Sequence, residues 1–214
     1  MTELVLLGGG GHARSLLAAL TLQGRGVQGY LAPRSGDLSR DCPYLGDDDV
    51  LMQLNPREVQ IVNGLGSTAS TKARSALYDR VTTLGFSAAR VIHPRAFVDP
   101  SAALGAGVQV FAGAIVNAGA AIGDDAIVNS GAVVEHDVVV GAHSHIAPGA
   151  VLAGAVHLGE GVHVGLGARV IQSVSVAARG VIGAGAVVID DVPADVTVVG
   201  VPARQIRSRR EGRR

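Results

Sequence analysis

The chain has no tryptophan, and only three tyrosines and three phenylalanines among 214 residues. Conventional cores lean on large aromatic side chains. This one must bury its surface with many small residues stacked closely, which favours a repetitive architecture. A single cysteine, Cys42, excludes an internal disulfide and suits a reducing compartment. Formal net charge is zero, so no global field attracts nucleic acid or a membrane surface. No apolar run approaches the roughly 18 residues of a membrane span. The opening MTELVLLGGGG carries an acid where a signal peptide would carry basic residues, so a secretory leader is not expected. Together these absences lead to the expectation of a soluble, cytoplasmic protein.

What is present is a six-residue rhythm. From Ile92 to Val188 an aliphatic residue recurs every six positions, seventeen times without a gap. Four residues after each stands Ala, Val, Ser or Gly. That pattern is the signal of a hexapeptide parallel β-helix. Three hexads close one triangular coil, and residues one coil apart stack at about 4.8 Å. Both registers point into the prism. Gly141, Gly159, Gly165 and Gly183 follow aliphatic residues and are expected to supply unusual dihedrals at the corners. A β-sandwich would show period two and irregular turns instead.

The first ninety residues read differently. ELVLLGGGGHARSLLAAL is a strand over Leu4–Leu7, a glycine-rich turn and a helix over 13–22. VQGYL and VQIVNGLGS add strands at 27–31 and 59–67, the last followed by a helix from about Ser67 to Leu84. GDDDVL at 46–51 reads as a capped helix start. The alternation implies a small Rossmann-like parallel α/β unit. A glycine turn at a helix N-terminus presents backbone amides to an anion, so Gly9, Gly10, Gly11 and His12 are candidate substrate-binding residues. No acid ends the second strand at GYLAP, which argues against NAD. The expected organisation is a Rossmann-like, nucleotide-binding-type α/β domain over 1–88, a β-helix over 89–207 and a basic tail over 208–214.

Three histidines, His136, His143 and His145, fall within ten residues. His136 and His145 lie outside both inward registers, so they face the prism surface, as do His143, His157 and His163. Nine residues separate His136 from His145, half a coil. They belong to different sides of one prism and meet more readily across a three-fold assembly. A shared zinc site of the carbon dioxide hydratase kind needs two histidines five apart. The successive gaps here are 7, 2, 12 and 6, so no metal is expected. A non-catalytic nucleotide-binding scaffold is the remaining alternative.

The β-helix resembles the left-handed hexapeptide-repeat acyltransferases, and the left hand is carried over from them. The opening GGGGHA, the EHD at 135–137, the histidine nine residues after His136, and the ending VVGVPARQI narrow the resemblance. They resemble the sialic acid O-acetyltransferases and the N-acetyltransferases of nucleotide-linked 4-amino sugars. That resemblance implies acetyl-CoA as co-substrate, a small-molecule sugar acceptor and a homotrimer with active sites between subunits. It implies His136 as the general base, removing a proton as the acceptor attacks the thioester. Asp137 stands where relatives carry the orienting acid, usually Glu, and Glu135 is a substitute. Asn129 matches a position that contacts the acceptor, and His145 the histidine that contacts acetyl-CoA. The Gly154 amide is the candidate oxyanion donor. Arg204, in the capping GVPAR, is a candidate for a CoA phosphate.

Overall fold

The structure is a computed structural model that describes residues 3–68 and 70–206. The basic tail expected over 208–214 lies outside the described residues. The chain opens with a five-stranded parallel sheet of order β3-β2-β1-β4-β5. Its strands are β1 (Glu3–Leu7), β2 (Gly29–Leu31), β3 (Tyr44–Gly46), β4 (Val59–Asn63) and β5 (Ser87–Ala88). Helix α1 (Gly11–Leu22) follows β1, and α2 (Lys72–Thr83) follows β4. Side chains alternate across β1 because successive Cβ atoms point to opposite faces. Leu4 and Leu6 pack with Leu16 and Leu20 of α1. Val5 and Leu7 pack with Val81 of α2 and Phe86. Each such burial stabilises by about 2 kcal/mol.

Element boundaries differ from the sequence reading, most clearly after the fourth strand. Strand β4 stops at Asn63, and α2 begins at Lys72 instead of near Ser67. Gly64, the next residue, still donates to the Leu7 carbonyl at 2.7 Å and has no room for a side chain. A Cβ on Gly64 would lie 2.5 Å from the Leu7 carbonyl oxygen and 3.0 Å from the Ala13 Cβ. The chain then runs on as a loop in which Thr68 pairs with Ser70. Asp47 accepts from the Asp49 N–H at 3.1 Å, but the element it starts is a 3₁₀ turn over Asp48–Gln53.

The rest is a three-sided left-handed β-helix. Seventeen strands of two residues each run from β6 (Val91–Ile92) to β22 (Val187–Val188), recurring every six residues. They stack into three faces of six, six and five strands, and β23 (Thr197–Val199) and β24 (Arg204–Gln205) extend one of the six-stranded faces to eight. Partners are 18 residues apart, as in Ile127 with His145 and His145 with His163. The second residue of each strand is the aliphatic position, and from Val110 to Val188 these form one buried core with the small residues between them.

The corners correct one expectation. Positive φ recurs every six residues from Gly107 to Gly185, but not at Gly141, Gly159, Gly165 or Gly183. Those four are required by close approach instead. A Cβ on Gly159 would lie 2.6 Å from the Ala178 nitrogen, and one on Gly165 would lie 2.6 Å from the Ala184 nitrogen. At the true left-handed corners, non-glycine residues Asp125, Asp137 and His143 stand at φ 56, 59 and 59. Asp and His tolerate that region better than most residues, and such outliers concentrate where function holds them.

A buried polar cluster joins the two parts. Arg74, only 1% exposed, donates from Nη2 to Asp125 Oδ1 at 2.7 Å and from Nη1 to the Leu65 carbonyl at 2.6 Å. Asn63 donates to the same Asp125 oxygen at 3.1 Å, and His143 Nδ1 stands 3.2 Å from Oδ2. The buried carboxylate is thus compensated by three partners, which its desolvation demands. His143 does leave the prism surface, but the edge of Tyr78 in α2 covers it at 5.3 Å.

Candidate active site

Where the α/β unit docks on the eight-stranded face, it leaves a cleft of about 500 Å³. Gly11 and His12 line it from the start of α1, Ser67 and Thr68 from the loop after β4, and Asn129, His145 and His163 from the β-helix. Stacking explains the last group. Residues 109, 127, 145 and 163 lead successive strands of one face, so Gln109, His145 and His163 share one column. The α/β unit covers that column, and all three are buried.

Hydrogen bonds fix the protons. Gln109 donates to the Asn63 carbonyl at 2.7 Å, so its Oε1 must accept from His12 Nε2, also at 2.7 Å. Asn129 Oδ1 accepts from the Ser130 N–H at 2.8 Å, which turns its amide nitrogen toward His145 Nε2 at 3.0 Å. His145 Nε2 is therefore an acceptor, and Nδ1–H faces the Ser67 carbonyl at 3.0 Å and its hydroxyl at 2.8 Å. Burial pushes His145 down to about 3, reinforced by nearby His163, His12 and Arg74. Burial likewise holds His12 at about 4, with Gln109 opposing. Both rings are neutral at physiological pH.

His136 is not in this cleft. It stands on the corner after β13 (Val133–Val134), its side chain 63% exposed. Its Nδ1 lies 3.0 Å from Asp137 Oδ2. Glu135 makes no side-chain hydrogen bond or ion pair with it, so the geometry brings Asp137 and not Glu135 to the imidazole. Gly154, one coil on, lies against the other edge of the ring: a Cβ there would approach Nε2 to 2.5 Å. The Gly154 N–H donates to no acceptor among the described residues. An imidazole, a carboxylate and an unpaired backbone N–H thus stand together on this corner.

The remaining predicted residues fall elsewhere. Gly10 caps α1 without a side-chain bond. Gly9 is pressed against Tyr30, where a Cβ would meet the ring at 2.9 Å. Neither lines the cleft. Arg204, in β24 (Arg204–Gln205), pairs with Asp190 at 3.4 Å on an exposed edge. Sequence reasoning missed Ser67, Thr68, Gln109 and His163. Three polar residues in one 18-residue column were the signal for Gln109 and His163; the loop residues had none. Among the described residues, no group of three or more His, Cys, Asp or Glu is arranged to hold a metal, and no helix is long and apolar enough to cross a membrane.

The chain is similar to known proteins in sequence and in fold. Residues 119–154 match the family described as bacterial transferase hexapeptide (six repeats). No curated protein matches the sequence. Among solved structures, the acetyltransferase domain of PglB from Neisseria gonorrhoeae is 34% identical over 96% of this chain and all of that one, with a TM-score of 0.91. PerB from Caulobacter crescentus, solved with CoA and GDP-perosamine, is 38% identical over 97% of this chain and 98% of its own, with a TM-score of 0.89. WeeI from Acinetobacter baumannii, 21% identical over 96% of this chain and 100% of its own, shares the fold with a TM-score of 0.84. With these identities over nearly its full length, the chain belongs to the family of hexapeptide-repeat sugar acetyltransferases.

Proposed function

We propose that the protein moves the acetyl group of acetyl-CoA to an amine or hydroxyl of a nucleotide-linked sugar, with His136 as general base in a homotrimer. One observation carries the reading. His136, with Asp137 on one side and the unpaired Gly154 N–H on the other, occupies an exposed corner. The cleft that suits a sugar lies on another face, where burial lowers the pKa of His12, His145 and His163 alike. A second chain brings the two together. Relatives support the substrates, because PerB was solved with CoA and GDP-perosamine.

In the reaction, the acceptor nitrogen or oxygen attacks the thioester carbon. His136 Nε2 takes its proton, while the Asp137 carboxylate holds the Nδ1–H and stabilises the imidazolium. The Gly154 N–H donates to the developing oxyanion. Collapse expels the CoA thiolate, which recovers the proton from His136. Gly11, at the N-terminus of α1, offers backbone N–H to an oxygen of the sugar or its phosphate. Arg204 is proposed for a CoA phosphate, after exchanging its exposed Asp190 partner. The reading places the enzyme in the cytoplasm, where a thiol such as Cys42 stays free.

The test is thiol release from acetyl-CoA against a panel of UDP-, GDP-, dTDP- and CMP-linked amino sugars. His136→Ala should lower kcat at least ~10²-fold, the usual cost of losing a general base, and leave the trimer folded. Undiminished turnover in that variant would remove the imidazole from the mechanism.

A further inference from the structure

The three imidazoles of the cleft differ in what their nitrogens have left to offer. His145 is saturated by Asn129 and Ser67. His12 gives Nε2–H to Gln109. His163, leading β18 (His163–Val164) one coil beyond His145, has a sealed Nδ1 with no hydrogen-bond partner at all. The residue is 9% exposed and lines the cleft, its ring set edge to face with His145 at 5.2 Å. Burial lowers its pKa below the ordinary histidine value, which favours the neutral ring with one proton. That proton cannot sit comfortably on Nδ1, where it would be a buried donor without an acceptor. It belongs on Nε2, which is not sealed and which no protein acceptor takes up.

The surroundings indicate what Nε2–H would meet. Among the described residues, no Asp, Glu, Lys or Arg lines the cleft; its polar groups are hydroxyls, an amide and imidazoles. Such a wall suits the neutral, oxygen-rich ring of a sugar better than a diphosphate or an ammonium group. We infer that His163 is a substrate-binding residue, donating a hydrogen bond from Nε2 to a hydroxyl or ring oxygen of the acceptor sugar. This rests on the sugar acetyltransferase reading and adds a specificity residue to it.

The test uses the full chain and the nucleotide sugar that the wild-type protein acetylates. His163→Phe keeps the volume and removes the donor. It should raise KM for the sugar about tenfold, the loss of one hydrogen bond, and leave KM for acetyl-CoA unchanged. His163→Gln, whose amide nitrogen reaches the place of Nε2, should restore most of the loss. An unchanged sugar KM in the Phe variant, or equal losses in the Phe and Gln variants, overturns the inference. Nitrogen NMR of the wild-type imidazoles gives a readout that needs no variant to fold: Nε2–H is expected, and Nδ1–H overturns it. A wild-type protein that acetylates no sugar in the panel brings down the proposed function and this inference together. An active wild type whose Phe variant behaves identically brings down the inference alone.

Discussion

The imidazole of His136 stands against the α-carbon of Gly154, so close that a methyl group there would come within 2.5 Å of Nε2. Gly154→Ala must therefore swing the ring aside and off Asp137. Backbone strain adds little, because Gly154 is not among the positive-φ residues. Misplacing a reacting group by about 1 Å costs on the order of 10²-fold. The expected outcome is a fall in kcat of that size with a nearly unchanged melting temperature. Wild-type kcat in a folded Gly154→Ala protein would show that proton transfer does not run through this ring.

The separation of His136 from the cleft gives a mixing experiment. In a shared site, His136→Ala damages one side and His145→Ala the other. Mixed trimers then contain some sites with both residues intact, about a quarter under random three-fold assembly. Co-expression of the two inactive variants should recover activity toward that fraction of wild type. Activity no greater than the sum of the two variants would place the whole site within one chain.

Titration of the interdomain cluster predicts an optimum of stability. The hydrogen bond to Asp125 raises His143 above its ordinary value of 6.5, against the opposing effect of burial. The unfolded chain lacks that partner. His143 therefore contributes stability that is complete below pH 6.5 and disappears as pH rises through its folded value. His12 and His145 act in the opposite sense. Held at about 4 and about 3, they favour the folded state above 6.5 and lose that contribution as pH falls toward their folded values. The melting temperature should pass through a maximum and decline on both sides. His143→Gln should flatten the alkaline limb and leave the acidic one. Melts over roughly pH 5 to 8.5 at fixed ionic strength check this, and an unaltered alkaline limb would show that His143 does not stabilise the docked units.

The prism was legible because its cause is local and periodic. An aliphatic residue at every sixth position can face only inward, from Ile92 to Val188, and each becomes the second residue of a strand. The same register placed His136 outward, and the spacing to His145 kept the two apart within a chain. What the register could not show is which outward faces are covered. His143, His145 and His163 leave the prism as expected, yet all are buried, because the α/β unit sits on them. The Arg74–Asp125 pair joins residues 51 apart, and no short-range pattern marks it. The glycine assignments failed for a related reason. Gly159 and Gly165 answer to the next coil's backbone, a contact 18 or 19 residues away, and not to their own dihedrals.

Corner strain yields a final prediction, one of stability alone. Ser173 holds φ 61, is exposed and makes no side-chain hydrogen bond. A left-handed conformation costs an L-residue about 1–2 kcal/mol, while glycine loses about 0.5–1 kcal/mol more chain entropy on folding. Ser173→Gly should therefore stabilise by about 0.5 kcal/mol and raise Tm by about 1–2 °C for a chain of this size. Gly185→Ala is the reciprocal change. Its φ is 67 and nothing lies within 4 Å of the added carbon, so only the dihedral opposes it. It should lower Tm by a similar or larger amount. Thermal melts of both variants measure the corner strain directly, and a Ser173→Gly protein that melts below wild type would mean that chain entropy outweighs the strain at this corner.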